Sequence, residues 1–189
     1  QINDLIFKEL IKRGYSLEGN TRVWNIADSK LWYLTPEQAQ AYLDLCDNQE
    51  DYKETMIDPE IDLLGKSMPD IAKKVIRGDE LIIVDIGCGD GKKAVIPIRY
   101  LKDKVKIKYC PVDISSYMVK KAIKKISNMN AGEIIKFQWN ISDFENLENV
   151  TSSLRNNGKE LFLFFLGSTL SNFEPHEALY SISESMDYG

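Results

Sequence analysis

The spacing of apolar residues along the chain changes near residue 80. Up to residue 78, apolar side chains recur every three or four positions, which is the period of amphipathic helices. From residue 81 onward, short apolar runs alternate with amphipathic stretches, as expected for strands that alternate with helices. The pattern therefore predicts an α-helical lead-in over residues 1–78 and an α/β unit over residues 79–189.

The lead-in carries several helix start and stop signals. Gly14 ends a first helix, and Thr35 with Gln38 forms a capping box whose first helical residue is Pro36. The acidic stretch 47–54 is expected to be a loop or a solvated helix end. The helices expected in this part of the chain cover residues 1–13, 36–45, 59–66 and 69–76.

The α/β unit contains four predicted strands with helices between them. The strands are expected at residues 81–85, 106–112, 134–140 and 161–166. The helices are expected at residues 92–102, 116–127 and 147–156, with another that begins near 175. This order predicts an open, mostly parallel sheet with helices on both faces, which is a Rossmann-like architecture.

A glycine-rich loop follows the first predicted strand. The strand ends in Asp85, and Gly87, Gly89 and Gly91 follow at alternate positions. Glycines let the chain turn sharply and let a ligand lie against bare main chain, and the next helix start offers N–H groups to anionic atoms. This layout is typical of nucleotide-binding α/β units, although a simple connecting turn is the alternative interpretation.

The spacing of the loop favours one kind of nucleotide. A dinucleotide fingerprint needs glycine at position 92, where this chain has Lys92. An acid two residues before Gly-x-Gly-x-Gly is instead the pattern of S-adenosylmethionine (SAM) sites. A nicotinamide-dependent dehydrogenase is therefore disfavoured.

Asp113 lies about twenty residues past the glycine loop, at the carboxyl end of the second predicted strand. An acid at this place in nucleotide-binding folds accepts hydrogen bonds from ribose hydroxyls, since a carboxylate can take two donors at once. The alternative is a helix cap, because Asp113-Ile114-Ser115 also resembles a helix entry.

Polar residues also follow the third and fourth strands. Asp143 is placed to accept from an adenine amino group and Phe144 to cover the base, unless they are an ordinary loop acid and a core ring. After the fourth strand, Ser168, Thr169, Ser171 and Asn172 fall in the expected ligand crevice, or they cap the next helix.

Two aromatic residues of the lead-in, Trp32 and Tyr33, have two interpretations. Aromatic side chains usually pack in cores. They are also suited to wall a substrate pocket, where the Tyr33 hydroxyl is a polar handle.

Composition excludes several classes of protein. The 189 residues are 43% hydrophobic and 28% charged, which is typical of one globular domain. A net charge of −5 gives no support to a nucleic-acid or membrane partner. Three distant cysteines and one histidine predict neither a disulfide framework nor a metal site. Without a signal peptide or a spanning segment, a cytoplasmic location is the expectation.

Several segments together resemble the histidine-specific SAM-dependent methyltransferases. This is the family of the ergothioneine-pathway enzyme that trimethylates the α-amino group of histidine. The resemblance lies in residues 85–93, 111–115, 142–144 and 165–173, of which the last segment is the most specific. Residues 32–36, Trp-Tyr-Leu-Thr-Pro, are similar to an aromatic-Leu-Thr segment in the helical part of that family.

The resemblance implies SAM as cofactor, an amino-acid-like acceptor and a role for each matched residue. Gly87 and Gly89 would line the methionine part of SAM, with Lys92 or Lys93 nearby. The implied cofactor-binding residues are Asp85, Gly87, Cys88, Gly89, Lys92, Asp113, Ile114, Asp143, Phe144 and Gly167. Asn172 and Tyr33 would orient the acceptor and are the implied catalytic residues.

The resemblance covers the N-terminal part of the family pattern. Members of the family continue through further strands and a substrate-binding insertion, so the sheet is expected to be truncated here after its fourth strand. The expected reaction is methyl transfer to an amine nitrogen of an amino acid such as histidine. The alternatives are a SAM-dependent methyltransferase of another small molecule and a SAM-binding module that is catalytically incomplete.

Overall fold

A computed structural model describes residues 7–8, 10–12, 14–24, 29–136, 147–155, 160–167, 170 and 175–186. The N-terminal part comprises β1 (Ser16–Glu18), β2 (Thr21–Val23), a 3-10 helix (Ser29–Trp32), α1 (Pro36–Asn48), α2 (Glu50–Tyr52), a π-helical segment (Lys53–Ile57) and α3 (Asp58–Val75). The remainder comprises β3 (Glu80–Ile86), α4 (Val95–Leu101), β4 (Lys106–Val112), α5 (Ser116–Ser127), β5 (Glu133–Ile134), α6 (Leu147–Arg155), β6 (Glu160–Phe165) and α7 (Pro175–Met186).

Strands β3 to β6 form one parallel sheet in the order β5-β4-β3-β6. The first strand of this sheet, β3, is central. Strands β4 and β5 are added on one side of β3, whereas β6 is added on the other side. The gap between β3 and β6 is therefore a topological switch point, and ligands of open α/β sheets bind at such points, beyond the carboxyl ends of the strands. The expected Rossmann-like α/β fold is confirmed.

Helices cover both faces of the sheet because β3 is apolar on both sides. Leu81 and Ile83 pack in one cluster with residues of α3 and α4, such as Met68. Ile82 and Val84 face the other cluster, which α6 completes. Helix α3, although it belongs to the N-terminal part, is thus packed directly on the sheet.

Residues 59–66 and 69–76 were expected to be two helices, and this prediction was wrong. A single helix, α3, continues through Pro69, which lies on its exposed side. Proline normally breaks a helix, since it lacks an N–H and crowds the carbonyl of the fourth residue before it. Here Leu64, Met68 and Ala72 form one continuous buried stripe, and their packing holds the helix together across the proline.

Other boundaries differ in smaller ways. The capping box of Thr35 and Gln38 is present, and α1 extends three residues beyond the expected end. The acidic stretch after α1 is mostly helical. A hairpin, β1-β2, was not predicted, although its two-residue Gly-Asn connection is a known hairpin signal. The chain expected as strand 134–140 is described only to residue 136.

Within the described part of the chain, no helix has the combined length and apolar character that crossing a bilayer requires.

Candidate active site

The glycine loop is fixed to the end of the neighbouring strand. The amides of Gly87 and Cys88 both donate to the carbonyl of Val112, the last residue of β4, at 2.8 and 3.1 Å. The loop therefore lies across the carboxyl ends of β3 and β4, at the edge of the sheet where ligands bind. An added Cβ at Gly89 would meet no atom within 4 Å, so this part of the main chain is open to a ligand.

Gly91 closes the loop against helix α5. Its φ of +77° is a left-handed conformation that other residues adopt at a cost. A Cβ built on Gly91 would lie 3.0 Å from Cα of Ala122 and 3.1 Å from its Cβ. The third glycine is therefore required for backbone packing as well as for the turn.

Asp113 is joined to the glycine loop. Its Oδ2 accepts from the amide of Gly89 at 3.0 Å, and its Oδ1 accepts from the amide of Ser115, the N-cap of α5, at 2.9 Å. Burial raises the pKa of the Asp113 carboxyl, while the amides of Ser115, Gly89 and Ile114 lower it. These contacts support the interpretation as a helix entry. Each carboxylate oxygen can accept a second donor beside the loop, and ribose binding stays a prediction.

Asp85 lies at the end of β3 and is only 3% exposed. The hydroxyl of Tyr109, on β4, donates to its Oδ2 at 2.6 Å. Burial raises the pKa of Asp85 to about 7, against the lowering effect of this hydrogen bond. The carboxyl thus links the end of β3 to the middle of β4, and direct contact with a cofactor stays a prediction.

The raised pKa of Asp85 predicts a pH-dependent stability. The folded state binds this proton more tightly than the unfolded state. The stability that the protonated carboxyl contributes is therefore complete below about pH 4 and is lost as pH rises through about 7. Asp85→Asn keeps an acceptor for Tyr109 and removes the titration. Urea unfolding should show wild type losing up to roughly 4 kcal/mol more than Asp85→Asn between about pH 4 and pH 8.

If the free energy of unfolding changed equally with pH in the two proteins, the assignment of that titration to Asp85 would be contradicted.

The adjacent lysines Lys92 and Lys93 point to different places. Lys92 Nζ pairs with Asp47 of α1 at 2.9 Å, on the surface, and the hydrogen bond to Asp47 raises the pKa of Lys92. Lys93 Nζ pairs with Glu60 of α3 and lies beside Gly167, just past the end of β6. Lys93 is therefore the lysine nearer the switch point, and the contact expected of Lys92 with the cofactor stays a prediction.

A cavity of about 240 Å³ opens between the N-terminal helices and the end of β6. It is lined by Tyr42, Tyr52, Met56, Ile57, Glu60, Lys93 and Gly167. Of these residues, only Lys93 and Gly167 belong to the predicted site. Tyr42 lies in a helical pattern of ordinary appearance and Tyr52 in the acidic stretch 47–54, so no spacing marks either as a pocket residue.

Tyr33 lies next to this cavity. Its ring contacts the ring of Tyr42 edge-on, with centroids 5.2 Å apart. Burial raises the pKa of the Tyr33 hydroxyl, and Tyr52 and Asp113 raise it further. Trp32 is 57% exposed, so core packing does not explain it. The position of Tyr33 is compatible with the substrate-side role predicted for it.

The remaining predicted residues fall into two groups. Cys88 is buried, and burial raises the pKa of its thiol, so it stays protonated; Ile114 is half-buried at the entry to α5. Asp143, Phe144 and Asn172 lie outside the described residues, as do Ser168, Thr169 and Ser171. Among the residues that the structure does describe, no group of acidic, histidine or cysteine side chains is arranged to hold a metal ion.

Comparison with known families identifies a family that matches most of the chain. The model of a family described as histidine-specific methyltransferase, SAM-dependent, matches residues 36–187. The matched region begins with α1 and includes the glycine loop, Asp113, Glu60 and Lys93. No curated protein matches the chain.

Proposed function

Because the chain belongs to the histidine-specific, SAM-dependent methyltransferase family, we propose that it methylates the α-amino nitrogen of an amino acid such as histidine. Its cofactor is that of the family, SAM, which supplies a reactive methyl group on a sulfonium. The transfer needs little chemical activation, so the work of the protein is binding, alignment and exclusion of water.

The hydrogen bond between Asp113 and Gly89 is the observation that supports the cofactor part of the proposal, whereas the acceptor follows from the family match. It places a carboxylate with free acceptor capacity at 3.0 Å from a glycine loop whose main chain is open. A ligand that combines a ribose with an amino-acid part fits this arrangement, with the ribose hydroxyls on Asp113 and the amino-acid part over the loop. Lys93 would hold the carboxylate of that ligand.

We assign the acceptor to the side of the crevice formed by residues 1–78. Tyr33 and the cavity beside it border the same edge of the sheet as Asp113. Tyrosines supply apolar area together with a hydroxyl, which suits a small polar substrate. Asn172, by the family resemblance, would orient the acceptor amine, which must be neutral to react.

The test is methyl transfer from isotopically labelled SAM to L-histidine, with fragmentation mass spectrometry to locate the label. We expect label on the α-nitrogen of histidine and none on Nα-acetylhistidine, whose α-nitrogen is blocked. Label on an imidazole nitrogen or on carbon would contradict the proposed position. SAM binding without transfer to any amino acid would favour the incomplete module.

A further inference from the structure

Glu60, in the first turn of α3, joins two segments that are distant in sequence. Its Oε1 accepts from the amide of Gly167 at 2.6 Å, and its Oε2 pairs with Lys93 Nζ at 2.5 Å. Gly167 follows β6, and Lys93 follows the glycine loop after β3. One carboxylate therefore links the N-terminal helices to both sides of the topological switch point.

This ion pair is partly shielded from solvent. The Glu60 and Lys93 side chains are 30% and 23% exposed, whereas Asp62 and Lys66, on the same helix, form a pair that is 63% and 73% exposed. Exposed pairs contribute little because water and salt screen them, and shielded pairs contribute more. The pair of Glu60 and Lys93 is therefore expected to contribute more to stability than the exposed pair of Asp62 and Lys66.

The shape of the backbone at Gly167 leaves space for Lys93. Gly167 has a φ of +84°, and a Cβ built on it would lie 2.6 Å from Lys93 Nζ. The lysine therefore lies directly over the glycine, where it could not lie over another residue without moving. Lys93, Gly167 and Glu60 are therefore in contact with one another.

Helix α3 gives Glu60 a rigid base. Leu64 and Met68, one and two turns further along the helix, are buried against the sheet. A π-helical segment, Lys53–Ile57, precedes α3, and such segments are frequent at functional sites. Its last residue, Ile57, lines the same cavity as Glu60.

We infer that Glu60 is a positioning residue, which holds Lys93 and the backbone of Gly167 in the geometry that receives the amino-acid part of SAM. The inference rests on the proposed placement of the cofactor. Both oxygens of Glu60 already have donors, so its role is exerted through Lys93 and Gly167. Without Glu60, the long Lys93 side chain has more rotamers open to it, and the Gly167 amide loses its acceptor.

The experiment is calorimetric titration of the 189-residue chain with SAM and with S-adenosylhomocysteine, for wild type, Glu60→Gln and Asp62→Asn. Both ligands carry the same carboxylate, so Glu60→Gln should raise both Kd values by about tenfold or more. Asp62→Asn makes the same charge change on the same helix and should leave both values within about twofold. Thermal melts should show both variants folded.

Unchanged or lower Kd values in Glu60→Gln would overturn the inference, and lower values would show that Glu60 competes with the carboxylate of the ligand. Failure of wild type to bind either ligand would overturn the proposed function instead. A measurement without ligand tests the inference independently of the proposed function. In urea unfolding, Lys93→Met should lower the free energy of unfolding much less in the Glu60→Gln background than in wild type. Equal costs in both backgrounds would also overturn the inference.

Discussion

Asp113→Ala is expected to weaken SAM binding by about tenfold or more, which is roughly 1.4 kcal/mol. The substitution removes the acceptor proposed for the ribose hydroxyls, and it also releases the amides of Gly89 and Ser115. Calorimetric titration of folded protein measures the change. The same loss is expected with S-adenosylhomocysteine, because the two ligands share the ribose.

Two control variants accompany this experiment. Asp113→Asn keeps the shape and one acceptor oxygen, so its effect should fall between wild type and Asp113→Ala. Asp79→Ala removes an exposed acid near the opposite end of β3, and its Kd should equal that of wild type. Wild-type affinity in Asp113→Ala would show that the ribose lies elsewhere.

Gly91→Val is expected to lower the free energy of unfolding by about 3 kcal/mol and to abolish SAM binding. A β-branched residue is strained at a φ of +77°, and its Cβ would press on the backbone of α5 at Ala122. The loop or the helix must then move. Urea unfolding followed by circular dichroism measures the loss.

Gly65→Ala is the matched control for this substitution. Gly65 lies within helix α3, and an added Cβ meets nothing within 4 Å. Alanine there should raise the stability by about 0.5 to 1 kcal/mol, because it favours the helix. If Gly91→Val were as stable as wild type, the close packing of the loop on α5 would be wrong.

The parts of the fold that were predictable are those set by local pattern. Strand Lys106–Val112 and helix Ser116–Ser127 have the expected bounds, since apolar period and flanking residues both mark them. The start of α1 follows from the capping box at Thr35. Pro69 was misleading because the packing of a buried stripe, which has no local signature, outweighs its helix-breaking tendency.

The residues of the candidate site likewise divide into those that a local pattern marks and those that only the fold brings together. The glycine loop and Asp113 are recognisable because motif and strand order together place them at one edge of the sheet. Glu60 is separated from Gly167 by 107 positions, and it stands among ordinary helical acids. Lys92 and Lys93 are adjacent and chemically alike, so only the course of the chain between the loop and α4 determines which one turns toward β6.

A crystal structure of this chain with S-adenosylhomocysteine would test the central claim most directly. We predict that the ribose hydroxyls lie within hydrogen-bonding distance of Asp113 and that the amino-acid part lies over the loop from Gly87 to Gly91. The carboxylate of the ligand should contact Lys93. A ligand bound away from the carboxyl ends of β3 and β4, or bound there with its ribose turned away from Asp113, would contradict this account.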